Sequence, residues 1–204
     1  MENFQFRFHS QLEFIKNLID SGQIGELRNI RSSFGFPPFQ DNDNIRYQKA
    51  LGGGSLLDAG AYPLKITQIF LGHDVYVDSA CLGSTNGKEV DIWGSAFLKH
   101  RRSSITSQIA FGFDHYYQNS LELWGSKGKV TANRIFTAGP GVNPEVIVET
   151  KNGVETHLLP EDNHFINMLN HFANCILTKQ NLNDEYSQNI NQARLLGELY
   201  ERAK

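Results

Sequence analysis

The chain has 204 residues, 40% apolar, 20% charged and 11% aromatic, a composition that suits one large globular core or two small ones. Nineteen basic against twenty-two acidic side chains leave a net charge of −3, without the Lys and Arg surplus that a sequence-independent grip on nucleic acid needs. Apolar stretches such as Leu64–Leu71 are broken by Lys65, Thr67 and Gln68, so none reaches the roughly 20 apolar residues of a membrane span.

Met1-Glu2-Asn3 opens the chain without a basic region and a following apolar run, so no signal peptide is expected there. The two cysteines, Cys81 and Cys175, are far apart. They offer neither metal-type spacing nor a disulfide framework, and a reducing cytoplasm is the expected location. Asn3–Phe8 alternates, with Phe4, Phe6 and Phe8 on one face, which predicts a short strand. Ser10 and Glu13 then form a capping-box pattern before Leu12, Ile15, Leu18 and Ile19 at helical spacing. Gly22 ends that helix and Gly25 turns the chain. Glu26–Phe36 reads as extended and is closed by Pro37-Pro38. Residues 39–51 are polar and irregular, a loop length more often functional than idle.

A helix is predicted from about Ser55 to Leu71, ended by Gly72. Strands follow at Val75–Ser84, Val90–Lys99, Ser104–Phe113, Ser120–Trp124, Lys129–Ala132, Glu145–Thr150 and Val154–Leu159. Asn86-Gly87, Gly125–Gly128 and Asn152-Gly153 are hairpin-type turns between them. Two helices, about Asn163–Thr178 and Asp184–Arg202, end the chain. Strands joined by tight turns imply antiparallel pairing. The expected fold class is therefore α+β: an open, mainly antiparallel sheet with helices on one face. The strand and helix of residues 1–25 stand apart. They read as the last unit of a parallel sheet whose other strands lie elsewhere.

The densest chemical feature is Gly52-Gly53-Gly54-Ser55-Leu56-Leu57-Asp58-Ala59-Gly60-Ala61-Tyr62, with Lys65 beyond it. Glycines permit close backbone approach at a helix start, where free N–H groups point outward. Asp58, Tyr62 and Lys65 share one helical stripe. An acid, a phenol and an ammonium there can bind a polyol and move a proton. The same residues also fit a tight turn, an acid favoured by the helix dipole and a core tyrosine.

This run resembles the signature of the Gfo/Idh/MocA oxidoreductases, G-G-G-x-x-x-D-x-G-x-H, in the subgroup with Tyr for His. Phe6-Arg7-Phe8-His9 and the stretch Ile15–Gly25 resemble the family's exit from its dinucleotide domain. Asn44-Ile45-Arg46-Tyr47, Trp124-Gly125-Ser126-Lys127-Gly128 and Asn163-His164-Phe165 follow in family order. The resemblance implies two regions: residues 1–25 as the end of an otherwise missing Rossmann domain, and residues 26–204 as a substrate and oligomerisation domain. It implies hydride transfer between NAD or NADP and a sugar or sugar nucleotide, with Tyr62 as acid/base and Asp58 orienting the substrate.

Neither the family's G-x-G-x-x-G phosphate loop nor its Glu-Lys-Pro lysine is found here. No cofactor is therefore expected to bind this chain alone, and no turnover is expected without a Rossmann domain supplied separately. Lys65 is the candidate to replace the missing lysine, although a helix-surface lysine ordinarily points to water. Arg7 and His9 fit either a cleft lining or a solvated strand end. Arg46 fits a phosphate contact or an ordinary loop arginine. His164, near Asp162, fits substrate contact or a structural helix start.

No metal site is expected. His73, His100, His115, His157 and His171 lack mutual ligand spacing, and Asp41–Asn44 lacks the calcium-loop pattern. Phe111, Phe113, Tyr116 and Tyr117 fit aromatic stacking on a sugar or, the reading favoured here, the sheet core. Two alternatives to the enzyme reading remain. One is a binding module that forms homo-oligomers through the sheet face bearing Val90, Ile92, Ala96 and Leu98 or the opposing Trp93 and Phe97. The other is a truncated remnant of such an enzyme.

Overall fold

A computed structural model describes residues 2–85 and 87–204. Met1 and the Asn86 of the expected Asn86-Gly87 turn lie outside the described residues. In chain order the elements are a 3-10 turn (Gln5–Phe8), α1 (Ser10–Asp20), β1 (Leu27–Gly35) and two short 3-10 turns (Ile45–Tyr47 and Lys49–Leu51). A π-helical turn (Leu56–Gly60) runs into α2 (Ala61–Leu71). Then come β2 (Val75–Gly83), β3 (Trp93–His100), β4 (Thr106–Gly112), β5 (Gln118–Gly125), β6 (Gly128–Asn133), β7 (Glu145–Thr150), β8 (Gly153–Leu158), α3 (His164–Leu177) and α4 (Asn183–Arg202). The chain divides into two compact units. The first holds the residues up to Arg28 with Ser120–Ile190, the second Asn29–Asn119 with Asn191–Lys204.

Two parts of the expected fold class need correction. Among the described residues the eight strands are of mixed direction rather than mainly antiparallel: β1 runs parallel to β4, from Asn29 opposite Thr106 to Gly35 opposite Gly112. The physical reason is the connection. No tight turn follows β1; a loop and α2 carry the chain away, and such a crossover allows a parallel return. The pairs β2-β3, β3-β4, β5-β6, β6-β7 and β7-β8, each of strands that follow one another in the chain, are antiparallel. The second correction concerns Phe4–Phe8, which is a 3-10 turn and not a strand. Arg7 N–H donates to Phe4 O (3.1 Å) and His9 N–H to Phe6 O (3.2 Å), so local bonds satisfy the backbone without a neighbouring strand. Phe6 is fully buried, edge-on to Phe136 at 5.1 Å.

In the second unit the strand order is β2-β3-β4-β1. Ile30, Leu64, Val77, Leu98, Ile109 and Phe111 form its apolar interior. Helix α2 is tied to β4 by a Thr67–Ser107 hydroxyl pair (2.7 Å). The end of α4 is held on this unit by side-chain bonds to backbone. Gln192 donates to Ala61 O (2.9 Å), Arg194 donates to Val75 O (2.7 Å), and Glu198 accepts from Val77 N–H (3.0 Å).

In the first unit β5-β6-β7-β8 form an antiparallel meander. The Gly125–Gly128 hairpin docks on the turn after α1: Ser126 N–H donates to Glu26 O (2.9 Å) and Lys127 N–H to Ile24 O (2.8 Å). A Cβ at Gly125 would collide with Ile24 O, so this close approach needs glycine. Helix α3 carries two apolar stripes. His164, Met168 and Cys175 are buried, whereas Phe165, Leu169, Phe172 and Ile176 are exposed.

Candidate functional site

The seven residues singled out from the sequence divide between the units. Arg46, Asp58, Tyr62 and Lys65 belong to the second, and Arg7, His9 and His164 to the first.

In the second unit the glycine-rich turn is built against its own chain. Gly52 (φ +74°) and Gly54 (φ +123°) adopt backbone conformations that L side chains rarely take. Gly53 N–H donates to Gln48 O (3.0 Å) and Gly54 N–H to Arg46 O (2.9 Å), so the residue 39–51 loop folds back over the turn. That fold-back brings Arg46 to Asp58, Nε to Oδ2 at 2.8 Å, with both side chains a little over one-third exposed. Stacking on Phe39 at 5.0 Å also steadies the guanidinium. The π-helical turn spans Asp58, a geometry common at functional sites. Tyr62, half-buried in the first turn of α2, sets its ring edge-on to Phe34 at 5.3 Å.

Lys65 does not point to water. It is fully buried, and its ammonium donates to Gln68 Oε1 (3.1 Å). Val90, Ile92, Ala96 and Leu98 are buried within this unit, so they leave no face for a second copy. The opposite parity of β3 lines a shallow groove of about 600 Å³ with Arg31, Ser33, Cys81, Phe97 and Gln108. Phe111 and Phe113 are core residues as expected, but Tyr116 is 95% exposed and Tyr117 is also exposed.

In the first unit Arg7 is engaged by Glu185 through two parallel bonds, each 2.9 Å. His9 is buried and caps α1 in place of Ser10: its Nδ1 accepts from Gln11 N–H (3.1 Å). Ser10 N–H donates instead to Asp162 Oδ2 (2.8 Å). His164 is buried edge-on to His9, with ring centroids 5.7 Å apart. Burial lowers the pKa of both imidazoles; for His164 the neighbouring His9 adds to the shift, while Asp162 opposes it in each case. Burial alone would raise the Asp162 carboxyl. Bonds from the Ser10 N–H and side chain, the Asn167 side chain and Asn163 N–H outweigh burial and hold it below the ordinary carboxylate value.

Sequence reasoning missed Asp91 and Tyr200. Asp91 Oδ2 accepts from Ser55 Oγ (2.7 Å) and Leu56 N–H (2.6 Å), and Tyr200 O–H reaches Oδ1 at 3.5 Å. Neither residue lies near the motif in sequence, so no local signal marks them. Their bonds decide whether the glycine-rich turn fits a dinucleotide phosphate. A helix N-terminus attracts such an anion only while its N–H groups are free. Here Asp91 takes those of Ser55 and Leu56, and Cβ positions at Gly53 and Gly54 would meet Arg46 O (2.5 Å) and Asp91 Oδ1 (2.6 Å). The turn does not fit a dinucleotide phosphate.

A match to the GFO/IDH/MocA C-terminal domain over residues 12–131 places the chain in that family. The dTDP-3,4-didehydro-2,6-dideoxy-α-D-glucose 3-reductase of Actinomadura kijaniata is 36% identical over 196 residues, covering 96% of this chain and 58% of its own length. The D-xylose 1-dehydrogenase (NADP(+)) 2 of Haloferax volcanii is 26% identical over 204 residues, 100% of this chain and 62% of its own length. A crystal structure of KijD10, a 3-ketoreductase from Actinomadura kijaniata in complex with NADP and TDP-benzene, matches with a TM-score of 0.94 at 35% identity. That match covers 99% of this chain and 62% of KijD10. The chain thus spans less than two thirds of the length of these relatives. Among the described residues no helix is long and apolar enough to cross a membrane.

Proposed function

We propose that this chain is the substrate-binding part of an NAD(P)-dependent oxidoreductase acting on a sugar nucleotide, with Tyr62 as acid/base and Asp58 orienting the sugar. The observation that carries this reading is the pairing of Arg46 with Asp58 beside Tyr62 on one glycine-initiated helix start. The identity of the sugar-nucleotide reductase relative supports the substrate class. A phenolic O–H can donate a proton. Tyr62 is therefore the proton donor to the oxygen of a ketone undergoing reduction. Asp58, its carboxylate fixed by Arg46, accepts hydrogen bonds from neighbouring sugar hydroxyls.

The redox half belongs in this reading to a dinucleotide-binding domain, joined to residues 1–25 or supplied as a separate chain. The exposed stripe of Phe165, Leu169, Phe172 and Ile176 on α3 supports a partner surface in the first unit. A homo-oligomer through the sheet face is supported by the open groove lined by Phe97 and Cys81, and light scattering over a concentration series tests it.

The functional reading is tested by titrating the purified chain with dTDP-glucose and, separately, NADPH and NADH. Perturbation of the Arg46 and Tyr62 NMR signals by dTDP-glucose at millimolar concentration is expected. Signals unmoved by the sugar nucleotide would overturn the substrate reading. A micromolar dissociation constant for either dinucleotide would overturn the division of labour.

A further inference from the structure

The carboxylate of Asp91 stands where an external anion would otherwise sit, at the start of the helix that carries Asp58 and Tyr62. Ser55 N–H donates to Asp91 O (2.8 Å), Ser55 Oγ and Leu56 N–H both donate to Oδ2, and Tyr200 O–H approaches Oδ1. The segment bearing Asp91 is itself anchored. Val90 and Ile92 are buried on either side. Ile92 N–H donates to Gly83 O and Phe113 N–H to Ile92 O, each at 2.8 Å. Gly54 completes the arrangement, since a Cβ there would lie 2.6 Å from Oδ1.

We propose that Asp91 is a positioning residue for the site. As a built-in anion it locks the first turn of this helix and so sets where Asp58 and Tyr62 stand. Two donors converge on one carboxylate oxygen at a helix N-terminus, where a negative charge is favoured by the aligned peptide dipoles. Tyr200 closes the far side; its phenol is pushed up to about 12 by burial and by the Asp91 charge, so it stays protonated as a donor. Asp91 touches no substrate in this scheme. Its effect passes through Ser55 and Leu56. The role for Asp58 and Tyr62 rests on the functional reading above, whereas the locking of the turn does not.

The test compares Asp91→Ala with Asp91→Asn in the whole chain by amide hydrogen exchange and dTDP-glucose titration. Asn keeps the size and an acceptor oxygen, and its amide can donate to the Tyr200 oxygen. In Asp91→Ala, exchange at Leu56 and Asp58 is expected to accelerate about tenfold or more, with β6 and β7 unaffected. In Asp91→Asn, which keeps the acceptor oxygen but loses the charge, it is expected to rise only about severalfold, between wild type and Asp91→Ala. Sugar-nucleotide affinity is expected to follow the same order, lost in Ala and partly restored in Asn.

Unchanged exchange in Asp91→Ala would overturn the proposal, as would an Asn variant as fast as Ala. Unchanged affinity in an Asp91→Ala chain with accelerated exchange would overturn the link to the site. If Asp91→Ala does not fold, Ser55→Ala replaces it, with a smaller acceleration expected and no acceleration contradicting the lock. A wild-type chain that ignores dTDP-glucose sinks the functional reading alone; the exchange rates still decide the lock.

Discussion

The three consecutive glycines separate two physical effects that are usually confounded. Gly52 has φ +74° and open space around its missing Cβ. Gly52→Ala therefore carries only the left-handed backbone penalty, about 1–2 kcal/mol. Gly53 has no positive φ, but a Cβ would lie 2.5 Å from Arg46 O and 2.8 Å from Arg46 C. Backbone atoms cannot swing aside as a flexible side chain can, so Gly53→Ala is expected to cost about 1–3 kcal/mol through forced displacement. Gly54 combines φ +123° with a Cβ 2.6 Å from Asp91 Oδ1. Its substitution should cost about 2–5 kcal/mol, the strain added to the loss of the carboxylate contacts. At roughly 2–4 °C per kcal/mol for a chain of this size, the melting temperature falls least for Gly52→Ala and most for Gly54→Ala. Scanning calorimetry or thermal circular dichroism on the three variants gives the order. A Gly52 variant as unstable as the Gly54 variant would refute the reasoning, because nothing around Gly52 would then account for it.

Other expectations follow from the same contacts. Burial holds His9 and His164 below the ordinary imidazole value of 6.5 in the folded chain, so between those lowered values and 6.5 the unfolded chain binds more protons. Stability of the first unit is thus full above about pH 6.5 and declines as pH falls toward the folded values. Urea titrations from pH 7.5 to 5 check this, and His9→Gln should flatten the dependence; a profile that rises on acidification would contradict it. Arg7→Ala removes the two-bond ion pair to Glu185, whose side chain is only 15% exposed, and is expected to cost about 1–3 kcal/mol by chemical denaturation. Arg46→Ala removes a partly exposed ion pair and should change stability by less than about 1 kcal/mol, while weakening dTDP-glucose binding several-fold in calorimetric titration.

Much of the fold is legible in the sequence because local rules decide it. The hairpins of β5 to β8 follow from alternation and glycine turns, and α2 follows from Gly54, the apolar run and Gly72. The direction of β1 is not legible, since alternation names a face but not a neighbour. Phe4–Phe8 misleads for a related reason: an alternating aromatic run can be buried by a 3-10 turn when Phe136 stands beside it. The site is half legible. Asp58 and Tyr62 announce themselves by spacing, and the long loop before them does deliver Arg46. Asp91 reaches Ser55 from 36 positions away and Tyr200 reaches Asp91 from 109 positions away, through contacts that only the folded chain creates. Ser10 and Glu13 look like a capping box, yet a buried imidazole and a distant carboxylate, His9 and Asp162, take over that end of α1.

In the function proposed above, Tyr62 moves the proton in a sugar-nucleotide reduction. The most direct test of this is kinetic, using this chain assembled with the remaining portion of the Actinomadura kijaniata reductase and following NADPH oxidation with a dTDP-linked ketosugar. Replacement Tyr62→Phe removes one oxygen and keeps the ring against Phe34. A fall in kcat of about 10²–10⁴-fold with little change in KM is the predicted result. Turnover equal to wild type in the phenylalanine variant would contradict the account.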